Sequence, residues 1–190
     1  MWKLRDIVLA VIFSVVCGAI YMGWDYLTMP LFGTSVNPAI GGIVNGMWWI
    51  AAGLVAVIIR RPGAALFAGV VSALFEFIFG SPYGPGAIIS GLVQGGGMEV
   101  GLLLLGWRRW NTGAMAFAAA MGGVGNVVQW LTEYGGDKYP LGVIIGYIVL
   151  TLISGAVIAG LLPSWIGGAL KRSGVVRNFA IGRESVGARR

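Results

Sequence analysis

Two carboxylates, Glu76 and Glu99, and a carboxamide, Gln94, stand in sequence otherwise fit for hydrocarbon. Glu76 belongs to Phe75-Glu76-Phe77-Ile78-Phe79-Gly80-Ser81-Pro82-Tyr83-Gly84. Gln94 and Glu99 belong to Gly91-Leu92-Val93-Gln94-Gly95-Gly96-Gly97-Met98-Glu99. A carboxylate at mid-bilayer depth costs roughly 2.5–3.5 kcal/mol even on mild insertion scales, so each calls for a partner or a task. Further along, Asn126, Gln129, Trp130 and Glu133 recur at i, i+3, i+4 and i+7 and share one helix face. Gln94 and Glu99 are separated by about 140° around a regular helix. Both face one lumen only if Gly95-Gly96-Gly97 distorts it; Glu99 is the favoured site residue, with Gln94 a further candidate. Trp48 and Tyr147 add aromatic faces at similar depth. With no histidine in the chain and no Lys or Arg inside an apolar run, this set suits an organic cation that can stack on aromatic rings.

The elements that position these groups are membrane helices. The chain is 57% hydrophobic and 11% charged, against about 25% charged in soluble domains. The sequence predicts six spans: Ile7 to Trp24, Pro38 to Ile59, Ala64 to Phe79, Gly86 to Trp107, Gly113 to Leu131, and Leu141 to Leu162, the last ended by Pro163. Asp25 to Asn37 reads as a loop with Pro30 and Gly33 as breakers. The fold class is therefore an all-α integral membrane protein, a six-transmembrane-helix bundle occupying residues 1–170. A basic tail follows over 171–190. Placing both termini in the cytoplasm puts twelve of the 13 Lys and Arg residues inside, leaving Lys138 outside, as the positive-inside rule requires. The net charge of +6 thus tracks the boundaries of a plasma-membrane protein and its lipid, not nucleic acid.

In that orientation the buried polar residues crowd the outer half, and the inner halves are nearly pure Ala, Val, Leu, Ile and Gly. A channel needs polar groups through its full depth; this pattern describes a pocket open to the outside and sealed below. Ala10, Ser14 and Gly18 recur every four residues on the first span, a small-residue face for packing within the bundle or docking another membrane protein. Absence of histidine excludes a Ser–His dyad and a His-ligated metal site. Asp6, Asp25 and Asp137 fall at span boundaries, where an aspartyl pair fits poorly. No catalytic residue, metal or cofactor is expected, and no Walker A sequence is present, so any ATP hydrolysis belongs to another chain. From the residues alone, an ion-coupled secondary transporter of an organic cation stays open as the alternative.

Val57-Ile58-Ile59-Arg60-Arg61-Pro62-Gly63-Ala64-Ala65-Leu66, then Glu76 with Gly80-Ser81 and Tyr83-Gly84, then Gly91-Leu92-Val93-Gln94-Gly95 with Glu99 resemble the YkoE-type S components. These are the substrate-binding subunits of energy-coupling factor (ECF) vitamin transporters. The likeness runs from the first span to the sixth and is sharpest over residues 57–99. It implies uptake of thiamine or its hydroxymethylpyrimidine precursor, a site near the outer surface, and a lid made by residues 25–37. It also implies that Ala10, Ser14 and Gly18 dock on a transmembrane coupling (T) subunit, with two ATPase subunits driving release. Glu76 and Glu99 would serve the two ends of thiamine, and Asn126, Gln94 and Trp130 would orient and sandwich its rings.

Overall fold

The computed structural model describes residues 2–32 and 37–187, and all regular structure among them is helical. Five helical stretches are long and apolar enough to cross a membrane: Leu4–Leu31, Pro38–Ile59, Gly86–Leu104, Thr112–Thr132 and Leu141–Ser173. A shorter apolar helix, Ala64–Ile78, has 15 residues. It rises only about 22 Å against a hydrocarbon core of about 30 Å, so a span through it recesses one of its ends.

Helix α1 (Leu4–Phe32) runs through Asp25 and past Pro30, which corrects the expected loop from Asp25. One buried stripe explains the extension. Ala10, Ser14, Cys17, Tyr21, Asp25 and Thr28 follow each other at three- and four-residue steps, and all six are buried. That pattern keeps a single helix face against the bundle. Pro30 lies within the last turn, where few intrahelical bonds depend on it. Residues 33–36 of the expected lid lie outside the described residues.

The second span begins with α2 (Pro38–Gly41). Pro38 takes the first helical position, and the Asn37 side chain accepts a hydrogen bond from Ala39 N at 3.0 Å, a standard N-terminal cap. A 3₁₀ stretch, Gly42–Trp49, follows, and then α3 (Ile50–Ile59), all ten of whose residues are buried. This is the centre of the bundle. Arg60 ends α3 in the left-handed conformation (φ 53°) and Gly63 opens α4 (Ala64–Ile78) at φ 83°. Helix α5 (Gly86–Leu104) passes through Gly95-Gly96-Gly97 unbroken. Helix α6 (Thr112–Thr132) is capped by Asn111, whose side chain accepts from Ala114 N at 2.8 Å.

The final stretch departs from expectation as well. Pro163 does not end it. Helix α7 (Leu141–Ser154) gives way to a π-helical segment, Gly155–Leu161, and then to α8 (Leu162–Ser173), which has Pro163 in its first turn. A changed bonding register just before the proline removes the demand for the N–H that proline lacks. The segment expected as a tail is partly folded: Val176 and Ile181 join the core beside Val57, and α9 (Ala180–Gly187) packs against α3.

The small-residue face of α1 is internal. Ala10 and Ser14 are 0% exposed, and the Ser14 hydroxyl donates to Ala68 O of α4 at 3.4 Å. A Cβ on Gly18 would lie 2.7 Å from Ser72 O and 2.8 Å from Phe75 Cβ. The stripe lets α1 and α4 touch backbone to backbone. It is not open to another subunit, so docking through Ala10, Ser14 and Gly18 is corrected to intrachain packing.

Candidate ligand-binding site

A cavity of about 640 Å³ opens at the end of the bundle opposite the Arg60-Arg61 turn. Its walls come from the end of α1, the 3₁₀ stretch, the α4–α5 turn, and the facing ends of α5, α6 and α7. The 3₁₀ geometry has a direct consequence. Residues three apart eclipse in such a helix, so Asn45 and Trp48 both face the cavity while Trp49 turns into the core.

Six of the eight expected ligand residues line this cavity: Glu76, Gln94, Asn126, Trp130, Tyr147 and Trp48. They fall into three groups. The first is aromatic. The Trp130 ring stacks on Tyr147 at 4.0 Å and 21°, and Tyr139 lies near it at 5.8 Å and 19°. The second is a floor of hydrogen bonds. Asn45 Nδ2 donates to Tyr147 OH at 2.9 Å and to Thr151 Oγ1 at 2.8 Å, and Tyr147 OH donates onward to Asn126 Oδ1 at 3.0 Å. These bonds fix the ring of Tyr147 and hence the slab. Gln94 closes this side; it is 3% exposed, and its Oε1 has no hydrogen-bond partner. A buried amide oxygen left unmet costs about 1–3 kcal/mol, and Gln94 carries that cost at a cavity-lining position.

The third group is acidic. Glu76 is buried, and its Oε1 lies 3.2 Å from Ser81 Oγ. Ser81 Oγ lies 2.6 Å from Asp25 Oδ2, and Asp25 Oδ1 accepts from Trp48 Nε1 at 2.7 Å. No Lys or Arg is among the described lining residues. At the rim, burial and then the nearby Asp25 carboxyl push the Tyr83 phenol up to about 12. Burial likewise raises that of Tyr134. Both phenols are neutral donors at physiological pH.

Two expected residues lie elsewhere. Glu99 faces the opposite end. Its Oε1 accepts from Gly63 N and from Trp107 Nε1, each at 2.7 Å, and its Oε2 accepts from Ala65 N at 3.0 Å and Leu66 N at 3.4 Å. It caps the N-terminus of α4 from a neighbouring helix, where unpaired N–H groups and the helix dipole favour an anion. The rotation between Gln94 and Glu99 holds, since α5 is regular, and it is Gln94 that faces the cavity. Glu133 is exposed outside the lining set and accepts from Gln129 Nε2 at 2.9 Å. It steadies Gln129, which does line the cavity. Sequence reasoning missed Asp25, set aside as a boundary residue, and Ser81. The available signal was the spacing Ser14, Cys17, Tyr21, Asp25, Thr28, which continues the buried stripe.

A bundle of apolar helices around an end-opening polar and aromatic cavity defines a membrane-embedded substrate-binding subunit. The comparisons agree. A solved structure described as "Crystal structure of an S-component of ECF transporter" matches with a TM-score of 0.92 and 31% identity, covering 100% of this chain and 95% of that one. Residues 5–125 match the family described as "ABC-type cobalt transport system, permease component". The chain belongs to the S components of ECF transporters, substrate-binding transport subunits rather than enzymes. Among its relatives is a protein of Bacillus subtilis (strain 168) named "Putative HMP/thiamine permease protein YkoE". It is 32% identical over 183 residues, which is 96% of this chain and 92% of that one.

Proposed function

We propose that this chain captures thiamine, or its hydroxymethylpyrimidine precursor, from outside the cell and hands it inward as part of an ATP-driven ECF importer. The observation that carries the reading is the cavity's pairing of Glu76, with no basic residue among the described lining groups, with the stacked slab of Trp130 and Tyr147. Thiamine presents a fixed positive charge and a flat aminopyrimidine. The carboxylate answers the first, and aromatic faces accept both rings. The Gln94 carboxamide, a cavity-lining group, offers hydrogen bonding to the polar edge of the pyrimidine. The name of the Bacillus relative supports the same ligand class. A cobalt ligand suits the residues poorly: the chain has no histidine and one cysteine, and Cys17 is buried on α1 away from the cavity lining.

The charge distribution supports six spans with α4 among them, both termini cytoplasmic, and the cavity outside. Twelve of 13 basic residues then lie inside, the bias expected of cytoplasmic loops. A T subunit and two ATPase subunits complete the importer in this reading. Calorimetric titration of thiamine and of hydroxymethylpyrimidine into the detergent-purified chain tests it. Thiamine binds, and Glu76→Gln weakens it at least about tenfold, equivalent to about 1.4 kcal/mol. Failure of both ligands to bind overturns the reading.

A further inference from the structure

The turn between α6 and α7 carries two adjacent glycines that serve different ends. Gly135 has φ 70°, in the left-handed region where glycine is the default. Gly136 lies outside that region, so its backbone conformation would accept a side chain. Space forbids one. A Cβ on Gly136 would lie 2.4 Å from Trp130 Cδ2, 2.4 Å from Cε3 and 2.7 Å from Cζ3. Similar distances to three consecutive atoms of the six-membered ring place it over the ring rather than beyond its edge. Gly136 is buried and does not line the cavity. Trp130, which does line it, is 9% exposed.

We infer that Gly136 is a positioning residue for the ligand site: its bare backbone lets the turn close onto Trp130 and fixes where that ring stands against Tyr147. The inference rests on the ligand reading above. Carbon atoms in contact sit about 3.5–4.0 Å apart, so a methyl at position 136 moves the ring or the turn by about 1 Å. The ring has little room to yield. Tyr147 stacks on it at 4.0 Å, and Asn45 and Asn126 hold the Tyr147 hydroxyl at 2.9 and 3.0 Å. The turn cannot yield without disturbing the cavity either. Lys138 N donates to Gly135 O at 3.2 Å and Tyr139 N to Gly136 O at 3.3 Å, so the cavity-lining Tyr139 travels with Gly136. Binding groups must be held within about 0.5 Å of their working geometry, and either response exceeds that.

Gly136→Ala tests this by adding one methyl and no charge. Titrations of thiamine and of neutral hydroxymethylpyrimidine compare the wild type, Gly136→Ala, Trp130→Phe and the double variant. Phenylalanine keeps an aromatic face but lacks the outer ring atoms Cε3 and Cζ3 that the methyl meets. Gly136→Ala is expected to weaken both ligands alike, by at least about tenfold, at unchanged stoichiometry. In the Trp130→Phe background the same methyl costs less than about threefold. A Gly136→Ala affinity within about threefold of the wild type overturns the inference. A loss of equal size in both backgrounds also overturns it, since Gly136 would then act by a route other than Trp130. A merely structural glycine lowers the fraction of chains that bind and not the affinity of those that do, and that result refutes it too. Should Gly136→Ala not fold, the double variant decides. A folded double variant that binds within about threefold of Trp130→Phe supports the inference, and one that binds more weakly or also fails to fold overturns it. A wild type that binds neither ligand removes the ligand reading and this inference with it, a result told apart by the wild-type titration alone.

Discussion

Glu99→Gln separates the structural account of this residue from its expected place in the ligand site. The Glu99 carboxylate serves four donors: Gly63 N and Trp107 Nε1 on one oxygen, Ala65 N and Leu66 N on the other. Glutamine keeps one oxygen and offers an NH2 group in place of the second. Whichever way the amide turns, two N–H donors face another donor and lose their acceptor. An unsatisfied buried donor costs about 1–3 kcal/mol, and Glu99 is half-buried, so water recovers part of this. The net loss is about 2 kcal/mol, which for a chain of this size lowers Tm by roughly 4–8 °C. Ligand affinity should move less than about threefold, because Glu99 is outside the cavity and effects at separated sites are nearly independent. Thermal unfolding in detergent and a thiamine titration on the same preparation measure both quantities. An unchanged Tm with a tenfold weaker thiamine would return Glu99 to the binding site and refute the capping argument.

Other consequences follow from the same geometry. Trp130→Ala removes the ring stacked on Tyr147 at 4.0 Å; it weakens thiamine and the neutral pyrimidine together, by about tenfold or more, because stacking does not depend on ligand charge, and calorimetry on both ligands checks this. Gly18→Val destabilises the isolated chain by about 1–3 kcal/mol, since a Cβ there meets Ser72 O at 2.7 Å; a variant with wild-type thermal stability that fails only to assemble with partners would show the stripe facing outward. Tyr83, with its phenol raised to about 12 mainly by burial, stays protonated in the folded chain while an unfolded tyrosine ionises near pH 10. Its contribution is therefore complete below about pH 10 and lost as pH climbs toward about 12. Tyr83→Phe should leave the early rise of tyrosinate absorbance near pH 10 unchanged and remove one group from the titration near pH 12.

Most of the fold was legible because lipid leaves helices few alternatives. The second span is bounded as expected, from Pro38 to Ile59, by an Asn-Pro start and an Arg-Arg-Pro-Gly stop that carry their own local chemistry. Proline misled twice, at Pro30 and Pro163, where a terminal turn and a π-helical register absorb the missing N–H. Such compensation depends on neighbouring packing rather than on the residues flanking each proline. The cavity residues Asn126 and Trp130 were legible from helical periodicity. Glu99 was not, because three of its four partners are backbone N–H groups 33 to 36 positions away, which no spacing rule reveals. Asp25 shared a stripe with Ser14 and Tyr21 that was visible, but reading a loop from Pro30 cut it short.

The two ends of the bundle are built on opposite principles. At the basic end, most polar groups are closed on one another, Arg5 Nε being the exception. Glu99 meets four donors, Asp6 pairs with Arg61 at 3.4 Å and takes Lys3 N at 3.0 Å, and Trp2 Nε1 donates to Pro62 O at 3.0 Å. At the cavity end, closure is incomplete: Gln94 Oε1 and Trp24 Nε1 lack partners, and two carboxyl groups meet one hydroxyl. Buried polar groups in apolar surroundings are costly unless paired. An arrangement that settles most of this cost at one end and leaves more of it standing at the other accords with the proposed ligand site at the second. In that proposal the base holds helix positions fixed, and affinity comes from what the mouth lacks.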